Sequence, residues 1–145
     1  MSQTGSSRPA KKLAVLACMD ARLDPARLLG LQEGDAHVIR NAGGVVSDDA
    51  IRSLAISQHL LGTVEIAVIQ HTDCGMLTIR EHEFKQRLSE VAGERPRWPV
   101  HAFSDLEGNV RDSVRAIRES PFILHKAAVR GYVYEVETGH LREVT

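Results

Sequence analysis

The 145-residue chain has only two cysteines, no excess of charge of either sign and no apolar run of membrane-spanning length. Its 18 basic and 19 acidic residues give a formal net charge of -1, so composition provides no electrostatic footprint for nucleic acid or an anionic membrane. Its apolar runs are far shorter than the roughly 20 residues of a transmembrane helix. We therefore expect a small-molecule substrate, with no nucleic-acid partner and no membrane partner.

The opening segment, MSQTGSSRPAKK, is polar and carries no hydrophobic stretch typical of a secretory signal. From it we expect residues 1–11 to be a disordered tail and residues 12–145 to form a single domain, because the length suits one hydrophobic core. We also expect a cytoplasmic location. Two cysteines make a poor disulfide framework in a reducing compartment, so metal binding, catalysis or simple burial remain for them.

The pattern of apolar segments predicts an α/β fold. The runs LAVLAC and VEIAVI are typical of strands buried on both faces of a parallel sheet, and AHVIRN reads as a shorter strand. Helices are expected from Ser47 or Asp48 to Gly62, over residues 78–91, and after Ser104, where Glu107 completes the spacing of a capping box. The closing VRGYVYEVETGHLREV predicts a fourth strand and a short return strand. Alternating strands and helices indicate a mostly parallel sheet with helices on both faces.

Chemistry-bearing residues follow three of these strands, and the carboxyl ends of parallel strands meet at one edge of a sheet, where ligands gather. The residues that should converge there are Cys18, Asp20 and Arg22 after the first strand, Asn41, Ala42, Gly43 and Gly44 after the second, and His71, Cys74 and Gly75 after the third.

Cys18, His71 and Cys74 make a Cys₂His set, which favours Zn²⁺ over other metals. Three protein ligands leave a fourth position for water, as in catalytic zinc sites, where the pKa of that water falls to about 7. The alternative is that both cysteines are buried small hydrophobes and that the histidine is a satisfied core residue. The pairing of H-x-x-C with C-x-D-x-R at a second strand end favours the metal.

Asp20 and Arg22 are predicted to form a pair that controls access to the open position on the metal. A bidentate pair with the guanidinium would hold the carboxylate away from the metal, so that Asp20 orients the water instead of displacing it. If Asp20 rotated onto the metal it would become a fourth ligand and close the site. An ordinary ion pair closing the turn is the alternative.

The motifs C-x-D-x-R, RNAGG and H-x-x-C-G, with the closing GYVYEVETGHL, resemble the β-class carbonic anhydrases. The resemblance implies one Zn²⁺ per chain held by Cys18, His71 and Cys74. It implies reversible hydration of carbon dioxide to bicarbonate and a proton by zinc-bound hydroxide oriented by the dyad of Asp20 and Arg22. It also implies a pocket lined by residues 41–44, a four-stranded parallel sheet of order 2-1-3-4 with an added edge strand, and a homodimer or higher even oligomer.

Two departures from that family stand out. Members usually carry an N-terminal helical arm that wraps the partner subunit, whereas only about a dozen residues precede the first strand here. We therefore expect either an upstream start or a more open pocket and a weaker dimer. Gly44 stands where many members have a polar residue, a change expected to alter the pocket wall.

Other functions remain open on the same residues. The fold and metal set would also suit hydrolysis of carbon disulfide or carbonyl sulfide, or a catalytically silent zinc or bicarbonate-sensing module. Nucleotide binding is disfavoured because the loop after the first strand has no glycine-rich phosphate cradle.

Overall fold

A computed structural model describes residues 6–145. Its centre is one five-stranded sheet of order β2-β1-β3-β4-β5, which confirms the predicted topology. The first four strands are parallel and β5 pairs antiparallel with β4. The strands are β1 (Leu13–Cys18), β2 (Ala36–Asn41), β3 (Glu65–His71), β4 (Ala128–Glu135) and β5 (His140–Glu143).

Four helices connect the strands: α1 (Pro25–Leu29), α2 (Asp48–Leu61), α3 (Glu81–Ala92) and α4 (Leu106–Glu119). The predicted ends of α2 are confirmed, since Ser47 caps its N-terminus and Gly62 ends it in the left-handed conformation. Within residues 6–145, no helix has both the length and the apolar character needed to cross a membrane.

The predicted start of α4 is wrong by one residue. Asp105, not Ser104, is the N-cap, and its side chain accepts a hydrogen bond from Gly108 N. Glu107 therefore does not complete a capping box, and instead accepts a hydrogen bond from Arg142 at 3.0 Å. The third helix also begins later than predicted, at Glu81, because a single 3₁₀ turn, Gly75–Leu77, precedes it.

Both faces of the sheet are buried, as the continuous apolar runs predict. Leu54 of α2 and Val114 and Ile117 of α4 pack on the face that carries Ala14, Ile66 and Val68. The opposite face is covered by Leu23, residues of α1 and Met76. Because β1 and β3 are buried on both sides, the positions from which the loops leave their carboxyl ends are well fixed.

The expectation of a disordered tail over residues 1–11 falls partly outside the described residues, which begin at Ser6. From Ser7 onward the segment is held in place. Pro9 is buried, Ala10 N donates to Gly34 O at 2.8 Å, and Lys11 N donates to Asp35 O at 3.0 Å. This part of the segment therefore packs along the turn that leads into β2.

Candidate metal centre

The two predicted ligand motifs meet at the carboxyl ends of β1 and β3. Cys18 and His71 are the last residues of these adjacent strands, and Cys74 lies three residues beyond His71. All three side chains are buried, and their donor atoms lie within 4.8 Å of one another. Residues 53 and 56 positions apart in sequence thus form one group able to hold a metal ion.

The imidazole of His71 is oriented for a metal by its backbone. Its Nδ1 lies 2.7 Å from Thr72 O, and because a carbonyl only accepts, Nδ1 carries the proton. The lone pair of Nε2 is left facing Cys18 Sγ, 3.2 Å away. Such an outer hydrogen bond fixes the tautomer of metal-binding histidines.

The three donors lie close enough to shift one another's pKa. The hydrogen bond from the Cys74 thiol, together with the contact with the His71 ring, outweighs burial and lowers the pKa of Cys18. The same contact with Cys18 and burial raise the pKa of Cys74. Burial lowers the pKa of His71, but its bonds to Cys18 and Thr72 raise it overall. Buried thiolates are stable only beside positive charge, and zinc is the cation that two thiolates and an imidazole favour.

Asp20 and Arg22 lie beside this group and form the predicted pair. The main-chain N of Arg22 and its Nε donate to Asp20 Oδ1 at 2.8 and 3.0 Å, and its Nη2 donates to Oδ2 at 2.9 Å. These bonds hold the pKa of the Asp20 carboxyl well below its usual range. Oδ2 lies 3.6 Å from His71 Nε2, so the carboxylate faces both the guanidinium and the metal group.

Two charged residues that the sequence analysis did not single out complete the arrangement. Asp73 accepts from Arg22 through its carboxylate at 3.0 Å and through its carbonyl at 3.1 Å. Arg40 donates to three carbonyl oxygens of the loop after β1, those of Cys18, Asp20 and Leu23, at 2.8 to 3.1 Å. Asp73 lies within the motif H-x-x-C-G and Arg40 within RNAGG, and these positions are the one signal in the sequence that points to them.

A cavity of about 230 Å³ opens directly above the metal group. Of the residues predicted to line it, Ala42, Gly43 and Gly75 do so. Beyond the metal group, Asp20 also lines the cavity, and the rest of the wall is apolar and was not predicted; it consists of Met19, Met76 and Ile79. Met19 is 62% exposed, whereas Met76 is buried, so Met19 borders the solvent side of the cavity.

Asn41 and Gly44, also predicted for the pocket, are not among the residues that line the cavity. The Asn41 side chain donates to Val45 O at 2.9 Å and accepts from Val45 N at 3.0 Å, which closes the loop after β2. Gly44 is buried against backbone, since a Cβ there would lie 2.8 Å from Cys18 N and 2.9 Å from Ile69 O. Glycine at this position therefore permits close packing beneath the metal group rather than shaping the pocket wall.

Gly44→Ala is expected to lower the free energy of unfolding by about 2–5 kcal/mol. The left-handed conformation of this residue costs an L-amino acid about 1–2 kcal/mol, and overpacking against fixed backbone adds about 1–3 kcal/mol. Urea denaturation with a chelator present measures this without a metal contribution. Gly34→Ala is the matched control, because Gly34 also has positive φ but open space around it. Equal losses in the two variants would contradict the close packing.

Two buried cysteines and a histidine grouped at one edge of a parallel α/β sheet are the donor set of a zinc protein, and three protein donors are the number typical of catalytic zinc sites. Comparisons with known proteins narrow this class. A family model described as carbonic anhydrase matches residues 13–98. The chain is 54% identical over 137 residues to β-carbonic anhydrase 1 of Mycobacterium tuberculosis, covering 94% of this chain and 84% of that protein.

Two further similarities also cover most of the chain. A carbonic anhydrase from Streptococcus mutans superposes with a TM-score of 0.89 at 43% identity, covering 95% of this chain and 84% of that chain. A protein named carbon disulfide hydrolase from Acidithiobacillus thiooxidans is 36% identical over 153 residues, covering 91% of this chain and 76% of that protein. This chain belongs to the β-carbonic anhydrase family, whose cofactor is zinc.

Proposed function

We propose that the chain catalyses the reversible hydration of carbon dioxide to bicarbonate and a proton. One observation carries the proposal: a carboxylate held by an arginine faces a buried Cys₂His group at the base of a small apolar cavity. In this proposal Cys18, His71 and Cys74 hold the zinc, and Asp20 and Arg22 are the catalytic pair. The 54% identity to a protein named β-carbonic anhydrase supports the same assignment.

Zinc bound by these donors supplies a Lewis acid that makes water nucleophilic near neutral pH. Asp20 is the group that orients this water. Its lowered pKa keeps it an anion, which can only accept hydrogen bonds. Arg22 occupies one side of both carboxylate oxygens, and Oδ2 retains a lone pair for a proton on the side of His71.

The cavity suits a small apolar gas. Met19, Met76 and Ile79 offer no hydrogen bonds, so they neither retain water firmly nor compete for the substrate. Ala42, Gly43 and Gly75 contribute little side-chain bulk, which leaves space directly over the metal group. Asn41 and Gly44 contribute indirectly, by closing the loop and seating it on β1 and β3.

A second candidate activity is hydrolysis of carbon disulfide or carbonyl sulfide. It is favoured by the 34–37% identity to several proteins named carbon disulfide hydrolase. The cavity wall carries two thioether side chains, those of Met19 and Met76, which are soft and polarizable and would contact sulfur well. The higher identity to a named carbonic anhydrase places this activity second.

Stopped-flow carbon dioxide hydration tests the proposal on purified protein whose zinc content is determined on the same sample. We expect rapid turnover at one zinc per chain. Carbon disulfide and carbonyl sulfide are then assayed on the same preparation. Turnover of carbon disulfide without turnover of carbon dioxide would overturn the proposal in favour of the second activity. Full zinc occupancy without turnover of any of the three gases would overturn both and favour a zinc or bicarbonate-sensing module.

We further propose that the protein acts as a homodimer or higher even oligomer in the cytoplasm. Exposed apolar side chains support association; among them are Leu60, Phe122 and Leu124, each more than half exposed. The thiolate ligand set supports a reducing compartment. Sedimentation equilibrium over a range of concentrations tests the assembly, and a monomer at all concentrations would contradict it.

A further inference from the structure

The guanidinium of Arg22 is held from two sides. Asp20, in the loop after β1, accepts from Nε and Nη2. Asp73, in the loop after β3, accepts from Nη1 on its carboxylate at 3.0 Å and from Nη2 on its carbonyl oxygen at 3.1 Å. One arginine thus ties together the two loops that carry the metal donors.

Asp73 adopts an unusual backbone conformation to make both contacts. Its φ of 54° lies in the left-handed region, where aspartate is one of the few non-glycine residues found with any frequency. The residue lies between His71 and Cys74, so the same turn sets the position of two metal donors and of the anchor for Arg22.

Arg22 needs such an anchor because its side chain is 46% exposed. A half-exposed arginine keeps much of its rotamer freedom, and the contacts to Asp20 alone would let the pair swing together about the loop after β1. Asp20 lies 3.6 Å from His71 Nε2, and the Arg22 side chain supplies two of the three bonds that hold it there, so movement of that side chain would free Asp20 Oδ2 to turn toward the metal.

We infer that Asp73 is a positioning residue: it anchors Arg22, so that Arg22 holds Asp20 off the metal and the fourth coordination position stays open to exogenous ligands. The inference rests on the proposed function only in taking Cys18, His71 and Cys74 as the zinc ligands. It concerns coordination, and can be measured without turnover.

Azide binding to the cobalt(II)-substituted protein, followed by visible absorption, reports whether that position is open. We expect Asp73→Gly, which keeps the left-handed backbone, to weaken azide binding by roughly two- to fivefold, the effect of losing an exposed ion pair. Asp73→Asn retains a neutral acceptor and should show a smaller loss. Asp112→Asn is the matched control, since Asp112 pairs with Arg115 at 3.1 Å with similar exposure but lies on α4, which packs on the opposite face of the sheet from Cys18 and Cys74; its azide affinity should equal that of the unmodified protein.

The sign of the effect separates positioning from simple electrostatics. Removing a negative charge near a metal should strengthen anion binding by Coulomb's law, whereas loss of the anchor should weaken it. Tighter azide binding in both variants would overturn the inference.

A double-mutant cycle completes the test. If Asp73 acts through Arg22, Asp73→Asn should have no effect on azide binding in an Arg22→Gln background. An equal loss in both backgrounds would assign Asp73 a purely structural role and refute the inference. Thermal unfolding of each variant identifies any that misfolds. If Asp73→Gly does, azide binding by Asp73→Asn decides the test. Failure of the proposed function is read separately, from the turnover of the unmodified zinc protein.

Discussion

Cys74→Ser is expected to lose stoichiometric zinc and all measurable turnover. Serine presents a hydroxyl that stays protonated at neutral pH, whereas zinc binds the thiolate of cysteine. The substitution removes one of the three donors that lie together in this group within residues 6–145. We expect zinc affinity to fall by more than about 100-fold, since losing a mere outer contact of a ligand already costs 10- to 100-fold.

The measurement is zinc content after dialysis, together with competition against a chromogenic chelator. Met76→Leu is a suitable control, because Met76 is buried beside the same cavity and the substitution conserves volume. It should keep zinc and fold. Circular dichroism shows whether Cys74→Ser keeps its secondary structure, as expected for a change in the loop after β3. If the variant retained one zinc per chain at unchanged affinity, Cys74 would not be a ligand.

The convergence of the metal donors could be predicted because it depends only on strand order and direction. Two apolar runs identify parallel strands, and parallel strands end at one edge, so Cys18 and His71 have to lie at the same edge of the sheet whatever the loops do. Cys74 follows from its distance of three residues to His71. The sheet order itself came from the resemblance to the family, since hydrophobic pattern alone does not fix which strands are neighbours.

The parts of the site that could not be predicted depend on where loop side chains point. The sequence shows Asp73 and Arg40 within the motifs, but nothing local indicates that the first reaches across to Arg22 or that the second binds three carbonyls of another loop. Gly44 is a similar case. The sequence suggested that it shapes the pocket wall, whereas in the structure the backbone of Cys18 and Ile69 leaves no room for a side chain there.

Local energetics also explain the error at the start of α4. Ser104 and Asp105 are both good N-caps with comparable preference, so sequence cannot choose between adjacent candidates. The choice is made by tertiary contacts, because Glu107, the residue that would have closed the capping box from Ser104, accepts a hydrogen bond from Arg142 of β5. A one-residue shift of this kind leaves the apolar face of the helix unchanged.

Asp20→Asn is expected to lower turnover by about 100-fold or more while zinc content stays at one per chain. Arg22 donates to both Asp20 oxygens, so in the variant the amide oxygen should keep the guanidinium and the NH₂ group should face the metal. A donor then stands where the water needs an acceptor. Because the metal donors are untouched, the loss should appear in kcat rather than in metal binding.

Asp24→Asn is the matched control for this change. It removes the same charge four residues away, and asparagine caps a helix as well as aspartate does, so the bond from Arg27 N to the side chain at position 24 should persist. Turnover of this control should stay close to that of the unmodified protein. Asp20→Asn with full activity would exclude the carboxylate from the reaction, whereas loss of zinc in that variant would mean that Asp20 itself contributes to holding the metal. The pair of variants therefore separates the orientation of water from the retention of the ion.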